Sequence, residues 1–256
     1  MNNIFDLSGK VAHITGATSG MGKAIAEAMG VHGAKVIISS NDTEGGMQTV
    51  LEFKKRNIEA FFIPCDISRK ADIKQLHDKS IEKYGKIDIL VSCVGIAQPN
   101  LFLDITAADF EKTMALNLQS AIYLTKLVIP SMRERKDGSI IYLASIAGVR
   151  GNKMIGLYGI SKAGLIQLAR NLAVEFGPDN IRVNSISPGM IDTPFSQGLI
   201  SDEDFMKKRL ALTPLRRVGT VAEIAGVAVM LASKAGGFIT GQNIIVDGGT
   251  TIGDGS

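Results

Sequence analysis

The stretch VAHITGATSGMGKAIAEAM, residues 11–29, decides the fold. Its first five residues are, with one exception, apolar or β-branched and predict a strand. Three glycines follow, Gly16, Gly20 and Gly22, and the apolar spacing behind them predicts a helix that starts near residue 20. A strand that turns through glycines into a helix is the first half of a βαβ unit.

The same alternation continues to the end of the chain. Further short runs predict strands at 35–39, 60–64, 88–92, 139–143, 182–187 and 243–246. Helical patterns lie near 43–56, 69–84, 106–135, 156–176 and 220–233. Alternation of this kind builds a parallel sheet with helices on both faces. We therefore predict an α/β fold, a doubly wound Rossmann-type sheet of about seven strands, in a single domain over residues 1–256.

Composition and charge exclude several classes of protein. Of the 256 residues, 45% are hydrophobic and 21% are charged, which argues against intrinsic disorder. The formal net charge of +3 is too small for a nucleic-acid-binding surface. Two cysteines cannot form a disulfide framework, and three histidines show no metal-ligand spacing, so no metal is expected. No signal-peptide or membrane-spanning pattern is seen, and the prediction is a soluble, cytoplasmic protein without a membrane partner.

Glycines at a strand-to-helix turn suit a phosphate group. They permit a tight turn and let backbone N–H groups approach a pyrophosphate, which the N-terminus of the helix attracts. The spacing Gly-x-x-x-Gly-x-Gly differs from the usual dinucleotide fingerprint and from a P-loop. Glycines alone are equally consistent with an ordinary βα turn, but their place after the first strand favours a nucleotide site.

The end of the second predicted strand bears on which nucleotide binds. An acidic residue there binds the ribose 2′-hydroxyl of NAD, and an arginine holds the 2′-phosphate of NADP. This chain has Ser40 and Asn41, followed by Asp42. With a carboxylate and no cation nearby, NAD(H) is favoured, without excluding NADP(H). Capping of the following helix is the alternative role of these residues.

Tyr158 and Lys162 lie four residues apart in a predicted helix and therefore on one face of it. A phenol has a pKa of about 10 and is a poor acid or base at neutral pH. A nearby ammonium favours the phenolate and lowers that pKa. Ser145 follows a predicted strand and could donate a hydrogen bond to a carbonyl, or cap a turn.

Together these motifs resemble the short-chain dehydrogenase/reductase family. They occur in the order Thr15-Gly16-x-x-x-Gly20-x-Gly22, Asn117, Ser145 and Tyr158-Gly-Ile-Ser161-Lys162, and the match continues through Asp66, Pro188-Gly189, Thr193 and Asp247-Gly248-Gly249. The resemblance covers essentially the whole chain. It implies an NAD(P)-dependent oxidoreductase that transfers a hydride between a nicotinamide and a ketone or secondary alcohol, as carbonyl reductases and alcohol dehydrogenases do.

The resemblance also implies a role for each matching residue. Tyr158 would be the general acid/base, and Lys162 would lower its pKa and bind the nicotinamide ribose. Ser145 would polarise the substrate oxygen, and Asn117 would hold a water that links Lys162 to solvent. The implied cofactor-binding residues are Thr15, Gly16, Thr18, Ser19, Gly20, Met21, Gly22, Ser40, Asn41, Asp66, Ile67, Val94, Gly95, Tyr158, Lys162, Pro188, Gly189, Ile191 and Thr193.

Two positions depart from the family pattern. Where the family commonly has Asn-Asn-Ala-Gly, this chain has Ser92-Cys93-Val94-Gly95. The glycine is retained, but Ser92 replaces an amide that braces neighbouring strands, so we expect a less rigid strand end. The residues after the second strand match neither cofactor signature. Asp66, which would meet the adenine, is equally suited to cap a helix.

The resemblance makes residues 190–212 a lid over the substrate. A long irregular segment in a compact domain is commonly functional, and residues 188–219 show no strand signal. The apolar residues in and near this segment predict a hydrophobic pocket without a fixed cation, suited to neutral ketones and secondary alcohols. The predicted pocket residues are Ser145, Ile146, Ala147, Ile155, Met190, Phe195 and Leu199.

Other functions stay open at this point. A 3-oxoacyl-carrier-protein reductase would need a basic patch, for which Arg133, Arg135, Lys136 and Arg150 are candidates. A sugar dehydrogenase is a further enzymatic alternative. The non-enzymatic alternative is a nucleotide-binding redox sensor, against which the intact catalytic set argues. Members of the family commonly form tetramers through the helices near 106–135 and 156–176, so a homotetramer is expected.

Overall fold

Seven parallel strands form one sheet in the computed structural model, which describes residues 3–253. The strands are β1 (Val11–Thr15), β2 (Lys35–Ser40), β3 (Ala60–Pro64), β4 (Ile89–Ser92), β5 (Gly138–Leu143), β6 (Ile181–Pro188) and β7 (Asn243–Val246). Their order is β3-β2-β1-β4-β5-β6-β7, so the winding reverses between β1 and β4. The predicted doubly wound fold is confirmed, and every predicted strand end lies within one residue of its observed position.

Nine α-helices lie within residues 3–253. They are α1 (Gly20–Val31), α2 (Thr43–Lys55), α3 (Lys70–Tyr84), α4 (Ala107–Met114), α5 (Ser120–Arg135), α6 (Gly156–Phe176), α7 (Gln197–Ile200), α8 (Glu203–Ala211) and α9 (Val221–Ala232). Helices α1, α2 and α9 pack on one face of the sheet, and α3, α5 and α6 pack on the other. No helix in this part of the chain is both long enough and apolar enough to cross a membrane.

The core is divided between the two faces because successive strand residues point to opposite sides. In β1, Ala12 and Ile14 pack on the side of α1, whereas Val11 packs on the side of α3 and α5. In β2, Ile38 and Ile37 divide in the same way. Helices cover both faces, so the central strands are buried throughout and carry continuous apolar runs.

The helix predicted near 106–135 is interrupted by a π turn. Helix α4 ends at Met114, residues Ala115–Gln119 form one turn of π-helix, and α5 begins at Ser120. A π turn inserts a residue and widens the helix locally, and such turns are frequent at functional sites. The apolar spacing does not reveal this interruption, because the backbone stays helical through it.

Residues 188–219, predicted to be irregular, contain α7 and α8. Helix α8 begins at an N-cap, Asp202, whose carboxylate accepts the N–H of Phe205 at 2.9 Å. Met206 is its one buried residue in the described part of the chain. Periodicity could not indicate α8, because a helix with a single buried side chain shows no apolar stripe.

Candidate active site

A cavity of about 470 Å³ opens beside the carboxyl ends of β1 and β4, where the strand order reverses. Ligands of open α/β sheets bind at such a switch point, and the volume is typical of small-molecule sites. All the predicted cofactor-binding residues line this cavity except Pro188, Gly189 and Ile191. The structure thus brings the glycine turn to the same cavity as Tyr158 and Lys162.

The glycine turn fits a phosphate group. Gly16 and Gly20 adopt φ angles of +65° and +52°, a left-handed conformation that favours glycine. A Cβ atom at Gly22 would lie 2.2 Å from the carbonyl oxygen of Gly16, so a larger residue would push α1 away from the turn. The N-terminus of α1 therefore borders the cavity and presents backbone N–H groups to an anion.

The ends of β1 and β4 are joined by a hydrogen bond. The N–H of Cys93 donates to Oγ1 of Thr15 at 3.1 Å. This bond braces the two strands although Ser92 takes the place of the family's amide. Two residues further on, a Cβ atom at Gly95 would lie 2.9 Å from Nζ of Lys162, so the glycine leaves room for the ammonium.

Asn117, in the π turn, joins the loop after β4 to α6. Its Oδ1 accepts the N–H of Ile96 at 2.8 Å, and its Nδ2 donates to the carbonyl of Ile96 at 2.9 Å and to Oγ of Ser161 at 3.0 Å. Both amide hydrogens are thus used, and Oδ1 keeps one lone pair for a further donor. The predicted water-holding role of Asn117 stays a prediction.

The ammonium group of Lys162 is buried in the interior of the protein. The residue is 3% exposed, and its Nζ donates to the carbonyl of Leu143 at 2.7 Å. Burial lowers the pKa of Lys162 to about 8. Its Nζ lies 5.6 Å from the centre of the Tyr158 ring, one helical turn away.

Tyr158 differs from the expectation in the direction of its pKa shift. Burial raises the pKa of Tyr158, and the hydrogen bond with Ser145 opposes this by lowering it. The expected lowering of this pKa by Lys162 is not found, and the Lys162 ammonium donates to the carbonyl of Leu143. Ser145 also accepts the N–H of Ala147 at 3.1 Å, so it caps the turn that follows it, and its role toward a substrate carbonyl stays a prediction.

The residues after β2 form part of the cavity wall and also cap α2. The Asp42 carboxylate accepts the N–H of Gly45 at 3.0 Å, and Oγ of Ser40 accepts the N–H of Asp42 at 3.1 Å. Both residues line the cavity. Among residues 3–253, Lys162 is the one lysine or arginine in its lining. The end of the cavity nearest Asp42 therefore has no cation from the described residues.

Asp66 lines the same cavity but does not cap α3, whose N-cap is Arg69. Its carboxylate accepts the N–H and the Oγ–H of Ser68 at 3.0 and 2.7 Å. These bonds lower the pKa of Asp66. The residue is thus held ionised beside the cavity.

Four predicted residues at and just after the end of β6 lie away from the main cavity. Pro188 is the last residue of β6, and a Cβ atom at Gly189 would lie 2.7 Å from Cα of Asp247. Met190 and Ile191 line a separate cavity of about 90 Å³. Nothing in the sequence indicates on which side of β6 these residues pack.

The predicted substrate-pocket residues are also divided. Phe195 lines the main cavity, and its ring centre lies 6.3 Å from that of Tyr158. Ile146 and Ala147 are buried in the turn after Ser145, and neither Ile155 nor Leu199 lines the cavity.

Several lining residues were not predicted, among them Cys93, Leu116 and Leu143. Burial raises the pKa of the Cys93 thiol to about 11, so the thiol is protonated at neutral pH. Leu116 reaches the cavity from the π turn, which the sequence does not signal.

The chain is similar in sequence to a known protein family and to proteins of other organisms. A family model described as enoyl-(acyl carrier protein) reductase matches residues 16–251. A tropinone reductase homolog of Arabidopsis thaliana is 36% identical over 98% of this chain and 82% of its own length.

Two solved structures share the fold. One is a 7α-hydroxysteroid dehydrogenase with NADH and 7-oxo glycochenodeoxycholic acid, with a TM-score of 0.94, 37% identity and coverage of 97% of this chain and 98% of that one. The other is a gluconate 5-dehydrogenase from Burkholderia cenocepacia with NADP and tartrate, with a TM-score of 0.93, 28% identity and coverage of 97% and 98%.

Replacement of Lys162 by Met should stabilise the protein at neutral pH. The folded-state pKa of about 8 lies below the ordinary value of 10.5, so the unfolded chain binds the proton more tightly and the buried ammonium destabilises the fold below pH 8. Allowing for the lost bond to Leu143, we expect a gain of roughly 1–2 kcal/mol at pH 7. Urea denaturation from pH 7 to 10.5 measures it.

The gain should shrink as the pH rises from 8 to 10.5, because the wild-type lysine is then neutral in the folded state. Lys126→Met, which removes an exposed ammonium, is the matched control and should show no such pH dependence. A Lys162→Met protein that is less stable at pH 7, or a pH-independent difference, would contradict the prediction.

Proposed function

This chain belongs to the short-chain dehydrogenase/reductase family, whose members act on CH–OH groups with NAD(P), and we propose that it interconverts a ketone and a secondary alcohol with Tyr158 as general acid/base. The observation that carries the proposal is that Tyr158 and the buried Lys162 line the same cavity as the phosphate-type turn, while the side chain of Ser145 lowers the pKa of Tyr158.

The nicotinamide cofactor, when bound, donates or accepts the hydride. The residues of the chain position the reactants and move the proton. The Tyr158 hydroxyl gives its proton to the carbonyl oxygen in reduction and takes it back in oxidation. Ser145, which hydrogen bonds with Tyr158, orients the same oxygen. Because burial raises the pKa of Tyr158, the phenol holds its proton at neutral pH, as the acid in ketone reduction must.

Lys162 and the glycine turn hold the cofactor. The three turn glycines and the N-terminus of α1 accommodate the pyrophosphate, and Gly95 allows the nicotinamide half to approach the backbone. The Lys162 ammonium, fixed by the carbonyl of Leu143, binds the nicotinamide ribose. Asn117 supports this arrangement by fixing the loop that contains Gly95.

NAD(H) is the proposed cofactor. A 2′-phosphate needs a cation, and Lys162 is the one lysine or arginine from residues 3–253 that lines the cavity. Asp42 lines the opposite end and would repel the phosphate. The similar structures contain either NADH or NADP, so the support for NAD(H) comes from the side chains of this chain.

The proposed substrate is a neutral ketone or secondary alcohol with an apolar body. Phe195 lies beside Tyr158, and Ile96 and Leu116 add apolar lining. The tropinone reductase homolog and the hydroxysteroid dehydrogenase fit this substrate class by their names. The gluconate 5-dehydrogenase keeps a sugar-acid substrate as the second candidate. Residues 190–212 are the proposed lid, because Thr193 and Phe195 line the cavity.

A groove between α5 and α6 supports the proposed homotetramer. Its lining combines apolar residues such as Ile122, Leu172 and Phe176 with charged residues such as Lys126, Arg133 and Glu175. The regions near 106–135 and 156–176, which contain these helices, and the C-terminal strand are the parts through which members of the family commonly form tetramers. The cytoplasmic location stays a prediction.

Tyr158→Phe should abolish turnover while cofactor binding is retained. The ring is kept and only the proton-bearing oxygen is lost, so we expect kcat to fall at least about 100-fold. The fluorescence of the reduced nicotinamide, titrated with each protein, reports binding. Tyr123→Phe, on α5, is the matched control and should keep full activity. An active Tyr158→Phe protein would overturn the proposed mechanism.

A substrate panel should separate the two candidate classes. Neutral cyclic ketones and their alcohols should give kcat/KM values at least about tenfold above those of keto acids and sugar acids, because a desolvated carboxylate would meet no lysine or arginine of residues 3–253 in the cavity lining except Lys162, which holds the cofactor in this proposal. Initial rates with NADH and NADPH, measured side by side, provide the comparison. A clear preference for anionic keto acids would instead favour a sugar-acid dehydrogenase.

Asp42→Asn should improve the use of NADPH. Asn is a good N-cap, so α2 stays capped, while the charge that repels a 2′-phosphate is removed. We expect kcat/KM for NADPH to rise roughly three- to tenfold, with little change for NADH. Glu44→Gln is the control, since Glu44 does not line the cavity. An equal effect of both substitutions would show that Asp42 does not set the preference.

A further inference from the structure

Ser161 lies in α6 between Tyr158 and Lys162, the two residues that transfer the proton and hold the cofactor in the proposed reaction. It is completely buried and does not line the main cavity. Its Oγ donates a hydrogen bond to the carbonyl of Tyr158 at 2.7 Å and accepts one from Nδ2 of Asn117 at 3.0 Å. The hydroxyl therefore uses its one hydrogen within α6 and a lone pair toward another segment.

The bond from Asn117 distinguishes Ser161 from a comparable serine in another helix. Ser80 in α3 is equally buried and donates to the carbonyl of Leu76, also at 2.7 Å. Such bonds to the preceding turn are common for serines inside helices. Among residues 3–253, no donor from another segment reaches the Ser80 hydroxyl. The second bond of Ser161 therefore joins α6 to a segment 44 residues away in the chain.

Asn117 continues this connection to the loop after β4. The N–H and the carbonyl of Ile96 hold its amide group at 2.8 and 2.9 Å, and the other Nδ2 hydrogen goes to Ser161. Ile96 follows Gly95, and both residues line the main cavity. Hydrogen bonds thus run from the wall of the cavity, through Asn117 and Ser161, to the backbone of Tyr158.

The carbonyl that Ser161 contacts belongs to the helical turn that spans Tyr158 and Lys162. In an α-helix, the carbonyl of residue 158 accepts the N–H four residues further on, which is that of Lys162. A carbonyl oxygen has two lone pairs and can accept the Ser161 hydroxyl as well. The hydroxyl is therefore bonded to the turn that carries both of these side chains.

The same turn of α6 packs closely against the segment after Ser145. A Cβ atom at Gly159 would lie 2.7 Å from the carbonyl oxygen of Ala147. Gly159 is next to Tyr158 in the chain, and Ala147 donates its N–H to Oγ of Ser145 at 3.1 Å. A displacement of α6 at this point therefore changes the position of Tyr158 relative to Ser145.

We propose that Ser161 is a positioning residue for the ketone–alcohol reaction, because its hydroxyl holds the Tyr158 turn of α6 against the loop that contains Gly95. This role rests on the proposed function, in which Tyr158 transfers the proton and the loop borders the nicotinamide. Without the hydroxyl, one Nδ2 hydrogen of Asn117, a residue that is 1% exposed, loses its acceptor. An unsatisfied buried donor is costly, so the two segments shift apart. A misplacement of about 1 Å is enough to slow a reaction markedly.

Ser161→Ala and its matched control Ser80→Ala, made in the full-length protein, test the proposal. Each removes a completely buried hydroxyl that donates to a helical carbonyl at 2.7 Å, so both should lower the melting temperature to a similar extent. Only Ser161→Ala should reduce kcat for a neutral cyclic ketone, by about tenfold or more. The dissociation constant of the reduced nicotinamide should stay nearly unchanged in both, because neither residue lines the main cavity.

The pH dependence of alcohol oxidation provides a readout that a loss of stability alone would not move. The side chain of Ser145 lowers the pKa of Tyr158, and the phenolate is the base in oxidation. Ser161→Ala moves Tyr158 relative to Ser145 and weakens this effect, so the midpoint of kcat for oxidation should shift to higher pH by about half a unit. The neighbouring Lys162 and Cys93 are unchanged in both variants, and the control should keep the wild-type midpoint.

Ser161→Thr restores the hydroxyl and separates its loss from a loss of packing. In a helix, Oγ1 of threonine can bond to the carbonyl of the preceding turn. Ser161→Thr should recover most of kcat and the wild-type pH midpoint, although the extra methyl group in a filled space lowers the melting temperature. Equal losses of kcat in Ser161→Ala and Ser161→Thr, or in Ser161→Ala and Ser80→Ala, would overturn the proposal. So would a Ser161→Ala protein with the wild-type kcat and midpoint.

Hydrogen–deuterium exchange, measured by mass spectrometry, follows the same link without turnover. Peptides that cover residues 93–98 and 156–164 should exchange faster in Ser161→Ala than in the wild-type protein, because the hydroxyl no longer joins them. Both segments should keep the wild-type exchange in Ser80→Ala. A wild-type protein that reduces no ketone with either nicotinamide would refute the proposed function and with it any catalytic effect of Ser161. Unchanged exchange in an active protein would refute the positioning role alone.

Discussion

The hydrogen bond between the buried Lys162 ammonium and the carbonyl of Leu143 holds the candidate site together. It ties α6 to the end of β5 and fixes the ammonium beneath Gly95, where a side chain would leave no room. Tyr158 is carried on the same helix, one turn away. The position of Tyr158 therefore depends on the cost of burying one charge and on the one carbonyl that offsets it among residues 3–253.

Three wholly or partly buried cations differ in the hydrogen bonds that their side chains make. Lys162 has one short bond and a pKa lowered to about 8, which places a labile charge at the cavity. Arg182 is satisfied by three carbonyls and joins β6 to the end of α9. Arg209 has neither arrangement within residues 3–253. A buried cation whose hydrogen bonds are all made has a structural role. One that lacks such bonds, or whose pKa is shifted, is a candidate for a role in binding or reaction.

The candidate site was predictable where its residues follow strand ends and lie in one local motif. The glycine turn, Asp66, Gly95, Tyr158 and Lys162 all meet at the reversal point between β1 and β4, as expected for parallel strands. The positions of residues 188–191 were not predictable, because the path of a loop depends on packing between distant segments. Met190 and Ile191 turn toward Thr213 and Thr250, and nothing local indicates this. The pKa of Tyr158 likewise depends on burial, which spacing along a helix does not reveal.

The sequence by itself determined the seven strands, the main helices and the order of the chemical motifs, because apolar periodicity and glycine placement are local properties. Only the tertiary structure decided two other matters. It inserted the π turn that buries Asn117 against the loop after β4, and it directed the Lys162 ammonium to Leu143. Each of these depends on contacts between residues far apart in the chain, and hydrogen-bond partners and burial are set by such contacts rather than by local pattern.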